Sequence, residues 1–226
     1  MNFLQYITYF FEELLLILSF PFSGLLSYLI HEKRVKNKKN KGSIIIVRRW
    51  LSRSAIYVIW KNYIEKRGFR VYLVNLPLQQ GSFHASARKL KNYIDKKGLQ
   101  KITLVGVSAG AITSLVYLQD YSGWKKVDKF ISLGAPFHGT PMMYFLFPLF
   151  SAHELFPNSH FLKKLFSKEI KNKDKIYCIR AKYDEMVPAN SSFIDGAHGI
   201  TITTFGHNRL HMGSKRAYGQ IISLAR

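Results

Sequence analysis

Lys101-Ile-Thr-Leu-Val-Gly-Val-Ser-Ala-Gly-Ala-Ile-Thr-Ser-Leu-Val-Tyr-Leu118 decides how the rest of the chain is read. Ile102 to Val107 is a short apolar run, the pattern of a strand buried on both faces. Ala109 to Leu118 is small and apolar without a breaker, which predicts a buried helix. Between them stands Gly106-Val-Ser108-Ala-Gly110. A strand that turns abruptly into a helix needs small residues on both sides of the turn, because larger ones would collide with neighbouring strands. The apex residue is forced into a strained backbone, with its hydroxyl lifted above the sheet and the next N–H at a helix N-terminus. Ser108 is therefore the candidate nucleophile, and the N–H of Ala109 the candidate donor to an oxyanion.

The chain outward from this turn alternates strands and helices. Ile44 to Val47 is an apolar strand, followed by a helix whose expected stripe is Ile56, Ile59, Trp60, Tyr63 and Ile64. Arg70 to Leu76 is a second strand. Ser82 caps a helix with Phe83, Ala87, Leu90 and Ile94 on one face, ended by lysines and Gly98. Further strands follow at Lys129–Leu133, Lys175–Arg180 and Ile200–Phe205, then a helix near Lys215–Leu224. Apolar strands alternating with helices predict a mainly parallel sheet of about six strands covered on both sides, an α/β architecture.

One interval breaks the rhythm. Pro141-Met-Met-Tyr-Phe-Leu-Phe-Pro-Leu-Phe150 and Phe161 to Phe166 are too apolar for a solvated loop. Two readings stand: an extra core helix, or a cap over residues 140–170, after the fourth strand, that meets an apolar substrate.

Composition narrows the function classes. A chain of 226 residues with 47% hydrophobic content has enough material for a substantial core. Its single cysteine, Cys178, excludes an internal disulfide and any multi-cysteine metal site. The net charge of +21 invites nucleic acid or anionic lipid as partners. No zinc-finger spacing or RNP-like motif stands out, which disfavours nucleic acid. The charge is instead densest at residues 31–41, directly after the uncharged run Leu14–Ile30. That order is the reverse of a secretory signal. Residues 1–42 thus read as a membrane-associating segment with a basic linker, and the domain at 43–226 as lying on the cytoplasmic side. An apolar arm packed on the domain is the alternative.

A serine hydroxyl needs a base beside it, and the base needs an acid to orient it. In an open parallel sheet these come from loops at the carboxyl ends of strands. Asp184 follows the strand at Lys175, and His207 follows the last strand. The order Ser, Asp, His completes the pattern. His207 is preferred to His211 as the base, because a helical turn would carry His211 about 6 Å further along and away from the serine.

Residues 43–226 resemble the α/β-hydrolase superfamily, and within it the bacterial lipases and esterases. The resemblance rests on Gly106-Val-Ser108-Ala-Gly110, Ile131-Ser-Leu-Gly-Ala-Pro-Phe-His-Gly-Thr140, Tyr183-Asp184-Glu-Met-Val-Pro188 and Gly206-His207. It implies a Ser108–His207–Asp184 triad that hydrolyses an apolar ester, such as a lipid, through an acyl-enzyme. No metal or other cofactor is implied. His138 falls in a stretch that the family uses structurally, and His31, His84, His153, His160 and His198 read as surface or packing residues. There is one departure. Similar lipases carry His-Gly after the first core strand, where half of the oxyanion hole arises, and this chain has Val47-Arg48-Arg49-Trp50. Arg49 and Trp50 are the candidates to supply that half. A weak or catalytically silent protein that binds lipid or a partner is the alternative function.

Overall fold

The computed structural model describes residues 41–49, 54–74, 76, 82–146, 152–212 and 214–226, together with Ile7, Thr8, Phe11 and Leu15. The Leu14–Ile30 run apart from Leu15, the linker at 31–40, and Trp50 lie outside the described residues. Among the described residues the elements run β1 (Ser43–Val47), α1 (Ser54–Glu65), β2 (Arg70–Val74), α2 (Phe83–Lys96), β3 (Ile102–Val107), α3 (Ala109–Asp120), β4 (Val127–Leu133), α4 (His160–Phe166), β5 (Ile176–Tyr183), β6 (His198–Phe205), α5 (His207–Met212) and α6 (Lys215–Leu224). The six strands form one sheet in the order β2-β1-β3-β4-β5-β6, and each neighbouring pair is parallel.

The pleat sends successive side chains to opposite faces, which explains why these strands are apolar without alternation. Ile45 and Val47 of β1, Leu104 of β3 and Phe130 of β4 enter one core with α2 and α3. Ile44, Ile46, Val105, Val107, Ile131 and Leu133 enter the other with α1 and α6. On α2, Phe83, Ala87, Leu90 and Ile94 are all buried, and the Ser82 side chain accepts from the N–H of Ala85.

Two expectations change. On α1 the buried face carries Tyr57, Trp60 and Ile64, whereas Ile59 is 61% exposed. Trp60 packs on Tyr218 of α6, with ring centroids 4.6 Å apart, and this contact fixes the rotation of the helix. The interval at 140–170 is also divided. Ala152, Leu155, Leu165 and Ile170 join the core beside α2 and α3, and Phe161 stacks on Phe83 at 5.2 Å. Tyr144 and Phe145, on a 3₁₀ turn at Pro141–Leu146, are 54% and 83% exposed.

Candidate active site

The register places the ends of β3, β4, β5 and β6 along one edge of the sheet. Val107 pairs with Leu133, and Tyr183 with Phe205. Ser108 follows β3 directly, Asp184 follows β5 directly, and His207 follows β6 after Gly206. The sequence-expected turn forms at Ser108, whose φ of 51° and ψ of −123° are a strained conformation for a residue with a side chain. It persists because its surroundings are too close for any other path. A Cβ on Gly106 would lie 2.4 Å from the Cα of Ala111, and one on Gly110 would lie 2.4 Å from the Val47 carbonyl oxygen. The second contact presses the start of α3 against the end of β1.

Ser108, His207 and Asp184 come together as the sequence suggests. His207 Nε2 is 3.1 Å from Ser108 Oγ, and His207 Nδ1 is 2.8 Å from Asp184 Oδ2. The other carboxylate oxygen of Asp184 accepts from the N–H groups of Met186 and Val187 at 3.0 and 2.8 Å. Those bonds fix the carboxylate, which in turn leaves His207 Nδ1 as the protonated nitrogen and Nε2 free to accept from the serine. The backbone N–H of His207 donates to Glu185 at 3.0 Å. Gly206, at φ +93°, turns the chain into α5.

Behind the acid, the stretch after β4 acts as a brace. The N–H of His138 donates to Ser191 Oγ at 3.1 Å, Ser191 Oγ donates to the Gly139 carbonyl at 2.6 Å, and Thr140 Oγ1 donates to the Met186 carbonyl. This ties residues 138–140 to the loop that carries Asp184. His138 Nε2 contacts the Phe193 carbonyl at 3.2 Å, and His198 stacks on Tyr177 at 4.7 Å, so both are packing residues. Cys178 is buried in β5, and burial pushes its thiol pKa up, against any role as a nucleophile.

Ala109, the first residue of α3, is buried beside Ser108. N–H groups of a first helical turn have no partner within the helix, so this one is available to a developing oxyanion. Arg48 and Arg49 are both buried, and burial lowers the Arg48 pKa. The Arg49 guanidinium hydrogen-bonds Asn208 of α5 through Nη1, and its backbone N–H donates to the Tyr57 hydroxyl at 3.5 Å. The Arg49 side chain thereby ties the loop after β1 to the helix that carries the base.

His211 departs from expectation. It is not carried away from the site. Its ring lies edge-on to His207, 4.2 Å between centroids at 76°, and is fully buried. The sequence signals Ser108, Asp184 and His207, but not Glu185, Ser191, Asn208 or the packing of His211. Glu185 could have been found as an acid next to an acid on the same loop. The others bear no local signature.

Residues 44–155 match the family described as alpha/beta hydrolase fold. Among solved structures, the mature lipase BlEst2 of Bacillus licheniformis superposes with a TM-score of 0.68 at 16% identity, over 86% of this chain and 96% of the lipase. The alpha/beta hydrolase MGS-MChE2, from a lagoon-sediment metagenome, gives 0.61 at 19% identity, covering 82% of this chain and 90% of its own. The esterase EaEST of Exiguobacterium antarcticum gives 0.61 at 14%, covering 83% and 92%. No curated protein matches the chain.

Proposed function

We propose that this chain, which has the α/β-hydrolase fold, is a serine esterase or lipase acting on an apolar carboxylic ester. The observation that carries the reading is the unbroken hydrogen-bond path from Ser108 Oγ through His207 to Asp184. In the reaction, Ser108 Oγ bonds to the ester carbonyl carbon while its proton passes to His207 Nε2. Asp184, hydrogen-bonded at Nδ1, stabilises the resulting imidazolium. The carbonyl oxygen becomes an oxyanion near the Ala109 N–H. Collapse breaks the carbon–oxygen bond to the alcohol, which leaves with the proton from His207. Water, deprotonated by the same nitrogen, then releases the acid and restores Ser108.

Membrane attachment through residues 1–42 belongs to the same proposal. It is supported by the uncharged Leu14–Ile30 run and the basic residues that follow. Among the described residues no helix is long and apolar enough to cross a membrane. A high-salt wash should leave the full chain with membranes and release a chain lacking residues 1–42.

A second reading, a catalytically weak protein that binds lipid or a partner, is favoured by one observation. Arg48-Arg49 stands where similar lipases carry His-Gly, and the Arg49 guanidinium is engaged by Asn208. Losing one oxyanion donor costs about 10²–10³ in rate. A fluorophosphonate probe separates the two. Under the proposal it labels the wild type and not Ser108→Ala, and short p-nitrophenyl esters are cleaved with a loss of at least about 10³ in the variant. Equal labelling of both chains would overturn the esterase reading and leave the second.

A further inference from the structure

We propose that His211 is a positioning residue, a buried neutral imidazole that holds the base and the backbone of the nucleophile in register. The proposal rests on the roles given above to Ser108, His207 and Asp184. His211 Nε2 lies 3.2 Å from the carbonyl oxygen of Leu133, the last residue of β4. A carbonyl only accepts, so Nε2 carries a proton and donates to it. The same carbonyl accepts the N–H of Ser108 at 2.8 Å. One oxygen at the end of β4 therefore joins α5, which carries the base, to the turn that carries the serine.

The second contact is direct. The His211 ring stands edge-on against the ring of His207, 4.2 Å between centroids. Gly134 makes room for both. A Cβ there would lie 2.8 Å from His211 Nε2 and 3.2 Å from His207 Cε1. The two rings thus rest on a strip of backbone without a side chain, and His207 is confined between Asp184, Ser108 and His211. An imidazole so confined cannot swing out of line with the serine hydroxyl.

The neutral state of His211 matters to this arrangement. The charged or titratable groups that face it are His207 on α5 and Arg49 from the loop after β1, with Asp184 on the far side of His207. Burial chiefly, and then His207 and Arg49, push the pKa of His211 well below 6.5. When His207 takes up the serine proton it becomes a cation, and its neighbour remains uncharged. A charge on both rings would oppose the proton transfer. Nδ1 of His211 is buried with no hydrogen-bond partner among the described residues, so a proton there would have no acceptor, which favours the neutral ring.

Two substitutions separate positioning from space-filling. His211→Leu keeps most of the volume and removes the donor, whereas His211→Gln keeps a neutral N–H able to reach Leu133. In the full chain, His211→Leu should slow fluorophosphonate labelling and lower kcat by roughly 10- to 100-fold with KM within about twofold. His211→Gln should recover the rate to within about threefold of wild type. In ¹⁵N-histidine spectra, the Nδ1–H signal of His207 should broaden or vanish in the leucine variant and persist in the glutamine variant. If the leucine chain does not fold, His211→Met takes its place. Leucine and wild type alike in rate and in the His207 signal would overturn the proposal, as would a folded glutamine variant as impaired as leucine. A wild type that neither labels nor turns over sinks the esterase reading instead, and the His207 signal still decides the role of His211.

Discussion

Gly134 and Gly98 hold the same left-handed backbone, with φ of +55° and +60°, yet alanine at the two positions should have different consequences. Either substitution strains the backbone by about 1–2 kcal/mol. Nothing lies within 4 Å of a Cβ at Gly98, at the end of α2, so Gly98→Ala should lower stability to urea by about that amount and leave labelling of Ser108 unchanged. At Gly134 the methyl meets the two histidine rings, and labelling should fall by about tenfold or more. Equal labelling of the two variants would contradict the account of Gly134 as the floor of the site. His211 also sets a pH dependence. Its folded-state pKa is depressed below 6.5, so on acidification the unfolded chain binds a proton that the folded chain refuses. The stability it contributes is complete above about 6.5 and is lost progressively as pH falls from there toward the lower folded-state pKa. Glu154 works in the opposite sense, since burial raises its pKa, but it is common to both chains compared. The urea midpoint of wild type should fall more steeply than that of His211→Gln between about pH 7.5 and 5.5. Parallel slopes would show that His211 is not held neutral. Ser108 was legible in the sequence because its strained turn demands Gly106 and Gly110 nearby in the chain. The brace at His211 was not legible. It depends on the Leu133 carbonyl, 78 residues away, and a backbone oxygen has no sequence identity.

Strands and helices whose apolar residues have only one possible arrangement were the easiest elements to read. On α2 the apolar residues fall on a single face, and the four expected to be buried are buried. On α1 the run Ala-Ile-Tyr-Val-Ile-Trp is apolar all round, so periodicity alone does not choose a face. Packing between Trp60 and Tyr218 chooses it, and Ile59 is left outside. The interval after β4 posed the same difficulty at greater length. Its two apolar halves look alike in sequence, but Ala152, Leu155, Leu165 and Ile170 of the second join the core beside α2 and α3, whereas in the described part of the first Met143 is buried there and Phe145 is left outside. The halves should therefore respond differently to substitution. Leu165→Ala, at a buried position of α4, should cost about 2–5 kcal/mol in urea unfolding. Phe145→Ser, at a position 83% exposed, should change stability by less than about 0.5 kcal/mol. If the exposed turn belongs to a cap that meets an apolar substrate, the second of the two readings of this interval, Phe145→Ser should reduce turnover of long-chain esters relative to short ones. An unchanged ratio would remove Phe145 from substrate contact.

Across the whole molecule, the parallel sheet separates two edges with different chemistry. The candidate site occupies the carboxyl ends of the strands. At the amino ends, Lys41, Lys101, Lys129 and Arg226 surround a groove of about 360 Å³ with Asp128. Lys41 is also where the basic linker enters the described domain. Under the proposed membrane attachment, Lys41→Glu with Lys101→Glu should weaken binding to anionic vesicles at low salt, with labelling of Ser108 intact because the site lies at the other edge. Undiminished binding would remove this edge from the membrane contact. The strand order has a further consequence, in time. The strand that precedes the base, β6, is the last to be made and sits at the margin of the sheet, and Ser108 precedes His207 by 99 residues. At about 5–20 residues per second, a ribosome adds the serine roughly 5–20 s before it adds the histidine. On the proposed reading, the nascent chain carries an unarmed hydroxyl throughout translation. Docking of the last strand is then the event that starts its chemistry.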